Sequence, residues 1–370
     1  MKKNIAILPG DGIGPEIMAQ AKKVLNAISD KYGHSFELKT GLIGAVAINQ
    51  TGEPLPESTL DLCLDSDAVL LAAVGHPTFD NDPDAKVRPE QGLLGLRKAL
   101  DLFINIRPVK IYPSMIKFAA LRPELLEGVD LVIYRELSSG IYFGAKHERD
   151  ESGYASDLCA YHENEILRIA HPAFKAARQR KKKVTLVDKA NVLASSRLWR
   201  HTVEEVSKSY PDVTFEKLYV DNAAMQMVLA PNQFDVILTS NMFGDILSDL
   251  SSVLGGSLGF LPSSSIGTRS SVFEPVHGSY PTAAGKDIAN PTAMILSVKL
   301  MLEELGMNEA AKEIETVVDY CIQHRIGTQD IHPKYEYSCS QMGDLISSII
   351  LDGIEILNEK NLDSSVSTII

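Results

Sequence analysis

The opening segment sets the terms for the rest of the chain. A short apolar run, Ile5 to Leu8, meets a glycine-rich turn, Gly10-Asp11-Gly12-Ile13-Gly14, and Pro15-Glu16 then opens a stretch in which Ile17, Ala21, Val24, Leu25 and Ile28 recur at helical spacing. Proline suits the first turn of a helix, where its missing N–H would have had no partner. Strand, turn and helix in that order are the grammar of an α/β protein. The pattern returns at Ala68 to Val74, Leu131 to Tyr134, Val184 to Val187 and Val236 to Ser240, apolar runs that each end in polar or glycine residues. Such strand ends are where α/β proteins place ligands, so the chemistry is to be sought there.

With 370 residues the chain exceeds the roughly 100 to 200 usual for one domain, which points to two lobes. No repeat and no linker rich in Gly, Pro or Ser separates them, so the lobes are expected to be interwoven. A net charge of -12 argues against nucleic acid or an anionic membrane as the main partner. The basic run Arg178 to Lys183 precedes the strand Val184 to Val187 and reads as the solvated C-terminal end of a helix. Met1-Lys2-Lys3 imitates a signal peptide, but Ile5 to Leu8 is too short for one, and no apolar run approaches the ~18 residues of a membrane span. Cys63, Cys159, Cys321 and Cys339 are widely spaced and form no C-x-x-C, so they suggest neither zinc nor a disulfide framework. Reduced thiols in a cytoplasmic protein are the expectation.

Between Ser138 and Tyr161 the composition turns aromatic and charged, which reads as a protruding hairpin arm of the kind that mediates dimer contacts. From Pro291 the chain returns to helix, with Ile295, Val298, Leu302 and Leu305 on one face, and it ends in a polar tail. Gly10, Gly12 and Gly14 invite a dinucleotide-binding reading, but G-x-G-x-x-G would require a third glycine where Pro15 stands. The turn is expected to line a cleft instead.

Asp245 and Asp249 lie four apart at the start of a helix that follows the strand Phe234 to Ser240. That spacing puts both carboxylates on one face, about 6 Å apart at Cβ, an arrangement suited to Mg²⁺ or Mn²⁺. A lone D-x-x-x-D near a helix start serves the helix dipole equally well, so its partners decide. Asp221, after the apolar stretch Leu218 to Val220, offers a third carboxylate at a strand end. Arg97, Arg107 and Arg135 fall at predicted strand or helix ends and read as a clamp for a polycarboxylate, since guanidinium pairs bidentately with carboxylate.

These segments together resemble the β-decarboxylating dehydrogenases, the isocitrate/isopropylmalate dehydrogenase family, over nearly the whole chain. The carrying pieces are Leu8 to Glu16, Leu96-Arg97-Lys98 with Asn105-Ile106-Arg107-Pro108, Arg135-Glu136 with Gly140-Ile141-Tyr142-Phe143-Gly144, Asp188-Lys189-Ala190-Asn191, Ser240 to Asp249, and Glu274 to Ser279. The resemblance implies a non-Rossmann fold of two α/β lobes with a central cleft and a dimerisation arm. Residues 1–102 and 256–370 would form a cofactor-binding lobe, and 103–255 a second lobe with the dimer interface, the metal site and the arm, 138–161.

It further implies a homodimer with shared active sites. Arg97, Arg107 and Arg135 would bind the malate carboxylates, Asp221, Asp245 and Asp249 the metal, and Lys189 and Asp221 would reach the cleft from the partner subunit. Lys189 would act as base and Tyr142 as the acid that protonates the enolate left by CO₂ departure. NAD would lie against Gly75, His277, Gly278, Ser279, Ile288, Ala289 and Asn290. Leu93, Leu94 and Val192 would surround the variable group of the substrate, with Glu90 bordering that pocket and the nicotinamide. An apolar pocket suits an isopropyl group, whereas leucine would leave a third carboxylate unpaired.

The expected reaction is therefore NAD-dependent oxidation and decarboxylation of 3-isopropylmalate to 4-methyl-2-oxopentanoate, in leucine biosynthesis. Isocitrate, homoisocitrate, tartrate and a methylmalate are the alternative substrates. One departure bears on the cofactor. Thr282-Ala283 stands where NAD-dependent members usually carry an acidic residue for the ribose hydroxyls, and the lysine and tyrosine of NADP-dependent members are equally missing. The absence of those cations favours NAD. Ser138-Ser139 and Ser271-Val272-Phe273 also depart from the usual wording.

Overall fold

A computed structural model describes residues 1–81, 85–255 and 257–356. Its frame is one ten-stranded mixed sheet. In chain order the strands are β1 (Lys2–Gly10), β2 (Ser35–Thr40), β3 (Ala68–Ala73), β4 (Leu102–Lys110), β5 (Asp130–Glu136), β6 (Lys183–Asp188), β7 (Thr214–Tyr219), β8 (Val236–Thr239), β9 (Pro262–Gly267) and β10 (Val272–Pro275). They lie in the order β2-β1-β3-β10-β9-β4-β5-β8-β6-β7. Both flanks are parallel, while β9 runs antiparallel to β10 and β4, and β4 antiparallel to β5. The antiparallel centre thus joins two parallel α/β halves.

The burial pattern explains the strands. Every residue of β3 is buried, as expected of a parallel strand covered on both faces, whereas the edge strand β7 is largely exposed. Helices α1 (Gly14–Tyr32), α2 (Pro89–Ala99), α3 (Glu163–Arg178), α4 (Ala194–Ser207), α5 (Val220–Leu229), α6 (Asn241–Ser252), α7 (Thr292–Glu304), α8 (Asn308–Gln323) and α9 (Cys339–Asp352) cover the faces. Ile17 and Leu25 of α1 share one apolar core with Leu302 of α7, Ile314 of α8 and Ile346 of α9, so the two ends of the chain close over the same side of the sheet. A separate core around Phe174, Trp199, Val184 and Leu238 fills the other half.

Three expectations need correction. Arg107 is not at an element end; it sits inside β4, opposite Ile133 of β5. Asp221 does not close a strand, because β7 stops at Tyr219 and Val220 already begins α5, which puts Asp221 in the first turn of a helix. The basic run does start at the end of α3 with Arg178, Lys181 and Lys182 exposed, but it is stitched down as well as solvated. Arg178 pairs with Asp212, Lys183 with Glu216, and Arg180 with Asp130 and with Asp235, a carboxylate only 1% exposed that needs a cation. The arm region carries an exposed two-stranded hairpin, Lys146–His147 against Ser156–Asp157. The polar tail, 357–370, lies outside the described residues.

Candidate active site

Strands β4, β5 and β8 bring the charged side chains to one end of the sheet, and α6 starts directly after β8 at Asn241. Gly244 in the first turn of α6 makes the meeting possible. A Cβ there would stand 2.6 Å from Cγ of Arg135, so only glycine lets the arginine lie along the helix. Arg135 donates through Nε and Nη2 to the side-chain Oδ1 of Asn241 at 3.1 and 2.8 Å, and its Nη1 pairs with Asp245. Tyr142, in the short turn Gly140–Tyr142, donates its hydroxyl to the other Asp245 oxygen at 2.8 Å.

Arg107 completes the group. Its Nε donates to Asn105 Oδ1 at 2.7 Å and its Nη1 to Ser248 Oγ at 2.6 Å and Asp249 Oδ1 at 3.3 Å. Nη2 lies 3.6 Å from Asp245. Arg97, in the last turn of α2, faces Glu274 of β10 at 3.4 Å and keeps a buried Nε without an acceptor among the described residues. Burial pulls both inner guanidiniums below their ordinary value, Arg135 to about 10, against the attraction of Asp245. At about 10, Arg135 stays charged at neutral pH. Burial, and then the Asp245 carboxylate, push the Tyr142 phenol up, so it holds its proton. Three guanidiniums, a phenol and the carboxylates Asp245, Asp249 and Glu274 thus converge on one cleft.

Glu90, Leu94 and Arg97 fall on one stripe of α2 at helical spacing, and Glu90 reaches the Gly75 backbone, where a Cβ would lie 3.1 Å from its Oε1. Leu93 turns partly into the neighbouring apolar core. Lys189, Asp221 and Val192 stand elsewhere on the chain. Lys189 Nζ is 2.5 Å from Asp221 Oδ1, which keeps that carboxyl below its usual range, and Val192 is 62% exposed. Among the described residues of one chain no three His, Cys, Asp or Glu side chains gather into a metal-binding set. A single copy therefore brings Asp245 and Asp249 together but not Asp221.

Beyond the arginines a groove of about 400 Å³ opens between the β10–α7 connection and the first glycine turn. His277, Gly278, Ile288, Ala289 and Asn290 line it together with Ile13, Ser257, Gly259, Tyr280 and Asp330. Burial holds the His277 imidazole below its ordinary value and hence neutral; Nδ1 lies 3.0 Å from the Gly278 carbonyl, and Nε2 has no partner among the described residues. Asn290 is fixed in orientation, its Oδ1 accepting from the Thr292 amide at 3.0 Å and its Nδ2 donating to Asp330 at 3.1 Å. Ser279 is buried behind the groove, with its carbonyl accepting from the Ile13 amide at 2.8 Å. Gly12 adopts φ +58, and a Cβ there would be 1.9 Å from that carbonyl, so the turn expected to line the cleft packs directly on the loop that carries His277 to Ser279.

A sequence profile described as isocitrate/isopropylmalate dehydrogenase matches residues 4–346. The chain belongs to this family. It is 50% identical over 365 residues to the 3-isopropylmalate dehydrogenase of Aquifex aeolicus, spanning 97% of this chain and 99% of that protein. It is 53% identical over 348 residues to that of Thermotoga maritima, spanning 92% of this chain and 97% of that one. Among solved structures, isocitrate dehydrogenase from Methylococcus capsulatus superposes with a TM-score of 0.85 at 36% identity, covering 95% of this chain and all of that one.

Several groups at the family's cleft escaped the sequence reading. Asp11 is 5% exposed, and its carboxylate accepts from the amides of Ala45, Val46 and Gly75 at 2.8 to 2.9 Å, which ties the glycine turn to the strand end beside Glu90. Asn105, Asn241 and Ser248 orient the arginines, and Asp330 orients Asn290. Asp11, Asn105, Asn241 and Ser248 fall inside the motif segments and were legible only as part of them. Asp330 falls in none, and its role arises from a contact 40 residues away in the chain.

Proposed function

We propose that this dehydrogenase oxidises and decarboxylates 3-isopropylmalate with NAD, yielding 4-methyl-2-oxopentanoate and CO₂, as a cytoplasmic homodimer of leucine biosynthesis. The observation that carries the reading is the convergence of Arg97, Arg107 and Arg135 with Tyr142, Asp245 and Asp249 beside the leucines of α2. Half-identity to proteins named for that substrate, over nearly the full length of both chains, supports it.

The three guanidiniums take the two malate carboxylates, exchanging Asp245, Asp249 and Glu274 for the substrate's own anions. That fixes C2 and C3 in the cleft and turns the variable group toward Leu93, Leu94 and, from a second copy, Val192. Asp245 and Asp249, one turn apart, the first half-buried and the second exposed, offer the hard oxygen donors that Mg²⁺ or Mn²⁺ takes, with Asp221 of a second copy as the third. A metal held there would supply Lewis-acid polarisation. Lys189 of the second copy receives the hydroxyl proton of the substrate, and NAD, when bound, would supply the hydride acceptor. Tyr142, kept protonated by its burial and by Asp245, delivers a proton to the carbon that CO₂ has left.

Exposed apolar side chains support the shared site. Met225 and Leu229 on α5, and Ile246 on α6, are 50 to 56% exposed, which marks a surface that a second copy would cover. The groove favours NAD: it holds neutral His277 and anionic Asp330 and, among the described residues, is lined by no lysine or arginine, so a 2′-phosphate would meet repulsion. Residues 1–102 with 256–370, and 103–255, are the two lobes that close on the substrate. No helix among the described residues is long and apolar enough to cross a membrane.

The test is NADH formation from 3-isopropylmalate, isocitrate, homoisocitrate, tartrate and methylmalate, with and without Mg²⁺ or Mn²⁺ and with NADP⁺ in place of NAD⁺. Preference for isocitrate would contradict the leucine-lined pocket. Turnover that survives exhaustive chelation would contradict the metal role of Asp245 and Asp249.

A further inference from the structure

Ser138-Ser139 departs from the family's usual wording, and no catalytic step given above uses it. Both hydroxyls are nonetheless committed. Ser138 Oγ donates to Glu136 and accepts from Nη2 of Arg168, and Ser139 Oγ donates to Glu165 of α3 at 2.6 Å. Glu136 closes β5 and is 0% exposed. Its Oε1 also accepts from the Ser138 amide at 2.7 Å, and its Oε2 from the Ser139 amide at 3.0 Å. All three partners are donors, which fits an ionised carboxylate. Burial raises the carboxyl above its ordinary value, while the bonds from Ser138 and Ser139 and the charge of Arg168 hold it down. Among the described residues no cation pairs with it directly. A buried charge is a costly way to hold a turn, and this one holds the turn that leads to the proton donor.

We propose that Glu136 is a positioning residue: by gathering the Ser138 amide and hydroxyl and the Ser139 amide, it folds the chain beyond β5 back onto the start of α6 and so sets where the Tyr142 hydroxyl stands over Asp245. Successive side chains of a strand point to opposite faces. Ile133 of β5 packs into the core beside Leu247 of α6, and Tyr134 into the core beside Phe174 of α3, so Arg135 goes to the α6 side and Glu136 to the α3 side. Asn241 joins the two. Its Oδ1 accepts from Arg135, and its Nδ2 donates to the Ser139 carbonyl at 3.0 Å.

Gly140 follows at φ +80, its amide donating to the Ala160 carbonyl at 3.1 Å, and a Cβ there would lie 2.2 Å from the Tyr161 hydroxyl. That hydroxyl accepts from the Asn241 amide at 3.0 Å. The turn is thus gripped from three sides, and two residues on Tyr142 donates to Asp245 at 2.8 Å. One strand end therefore holds a guanidinium of the clamp with one side chain and the turn of the acid with the next.

The inference rests on the acid role proposed for Tyr142, so one arm of its test needs no turnover. The full chain is labelled with 3-fluorotyrosine, and the fluorine resonance of Tyr142, one of 12 tyrosines, is assigned by its loss in Tyr142→Phe. Glu136→Gln puts an amide where two N–H groups and a hydroxyl need acceptors. It should move that resonance and lower kcat on 3-isopropylmalate roughly ten- to a hundredfold, the scale of a displaced catalytic group, with KM within about twofold, because Arg135 keeps its bonds to Asn241 and Asp245. In the Tyr142→Phe background it should cause no further fall in kcat, since there is no hydroxyl left to position. Ser138→Ala removes one donor and keeps the carboxylate; it should move the resonance and lower kcat more weakly, and it decides the matter if Glu136→Gln does not fold. Full kcat in the folded variant, an equal loss in the phenylalanine background or an unmoved resonance would overturn the inference. A wild-type chain inactive on 3-isopropylmalate would refute the proposed substrate, and the resonance alone then decides: moved, it supports the role of Glu136, and unmoved, it ends it.

Discussion

Asp245 is the residue on which the cleft turns, because it holds Arg107, Arg135 and Tyr142 at once. Its bond to Tyr142 makes the acid role testable. Tyr142→Phe removes one oxygen and leaves the packing, so kcat is expected to fall about a hundredfold or more with KM nearly unchanged, since the carboxylate clamps are intact. Steady-state kinetics on 3-isopropylmalate checks the split. The pH dependence has a definite sign. Burial and Asp245 raise the phenol above the tyrosine norm of ~10, so in the folded protein it loses its proton later than in the unfolded chain. Its contribution to stability is full below pH ~10 and is lost as pH rises through the higher folded value. Any alkaline fall of kcat seen below pH ~10 thus belongs to another group and persists, in residual activity, in the phenylalanine variant. Asp245 and Asp249 were readable from spacing alone as a metal pair or as a helix-dipole feature. Their arginine and tyrosine partners sit more than 100 residues away in the chain, and only the fold says which role they serve.

At the scale of elements, the glycine turn shows how a strand end becomes a binding surface. Gly12 is at φ +58 with no room for a Cβ against the Ser279 carbonyl, so Gly12→Ala must strain the turn and part it from the cofactor loop. A left-handed non-glycine residue costs about 1 to 2 kcal/mol before the clash is counted. The variant should melt several degrees lower and bind NADH more weakly, by calorimetry and by fluorescence titration; unchanged NADH affinity would detach the turn from the cofactor site. The strands with continuous apolar runs, β3, β6 and β8, were legible to within a residue or two. The pair β9 and β10 was not. Ser263, Ser264 and Ser265 of β9 are 1, 5 and 0% exposed, a central strand written in serine, held by bonds such as Ser263 to the Glu274 carbonyl and Asn105 to Ser265. Hydropathy carries no trace of a buried polar strand whose hydrogen bonds are made by partners elsewhere.

The whole molecule poses the remaining question, because one chain holds the two halves of its proposed chemistry apart. Lys189 and Asp221 pair with each other on one surface, while Tyr142, Asp245 and Asp249 face the cleft. If two copies complete each site, Ile246→Asp with Leu229→Asp should give a folded monomer by sedimentation, with no turnover and weakened Mn²⁺ binding. A sharper test keeps the interface. Lys189→Ala and Asp249→Asn should each be inactive as homodimers, since each removes one contribution from both sites. In a mixed dimer one site receives both damaged side chains and the other receives neither. Dissociating and reassociating an equal mixture should therefore restore about a quarter of wild-type activity, because half the dimers are mixed and each has one intact site. No recovery, with mixed dimers confirmed by mass, would mean that Lys189 acts on the cleft of its own chain. Recovery requires that each cleft be completed from across the interface, and it would place the metal, the base and the exposed apolar helices in a single arrangement that neither copy holds alone.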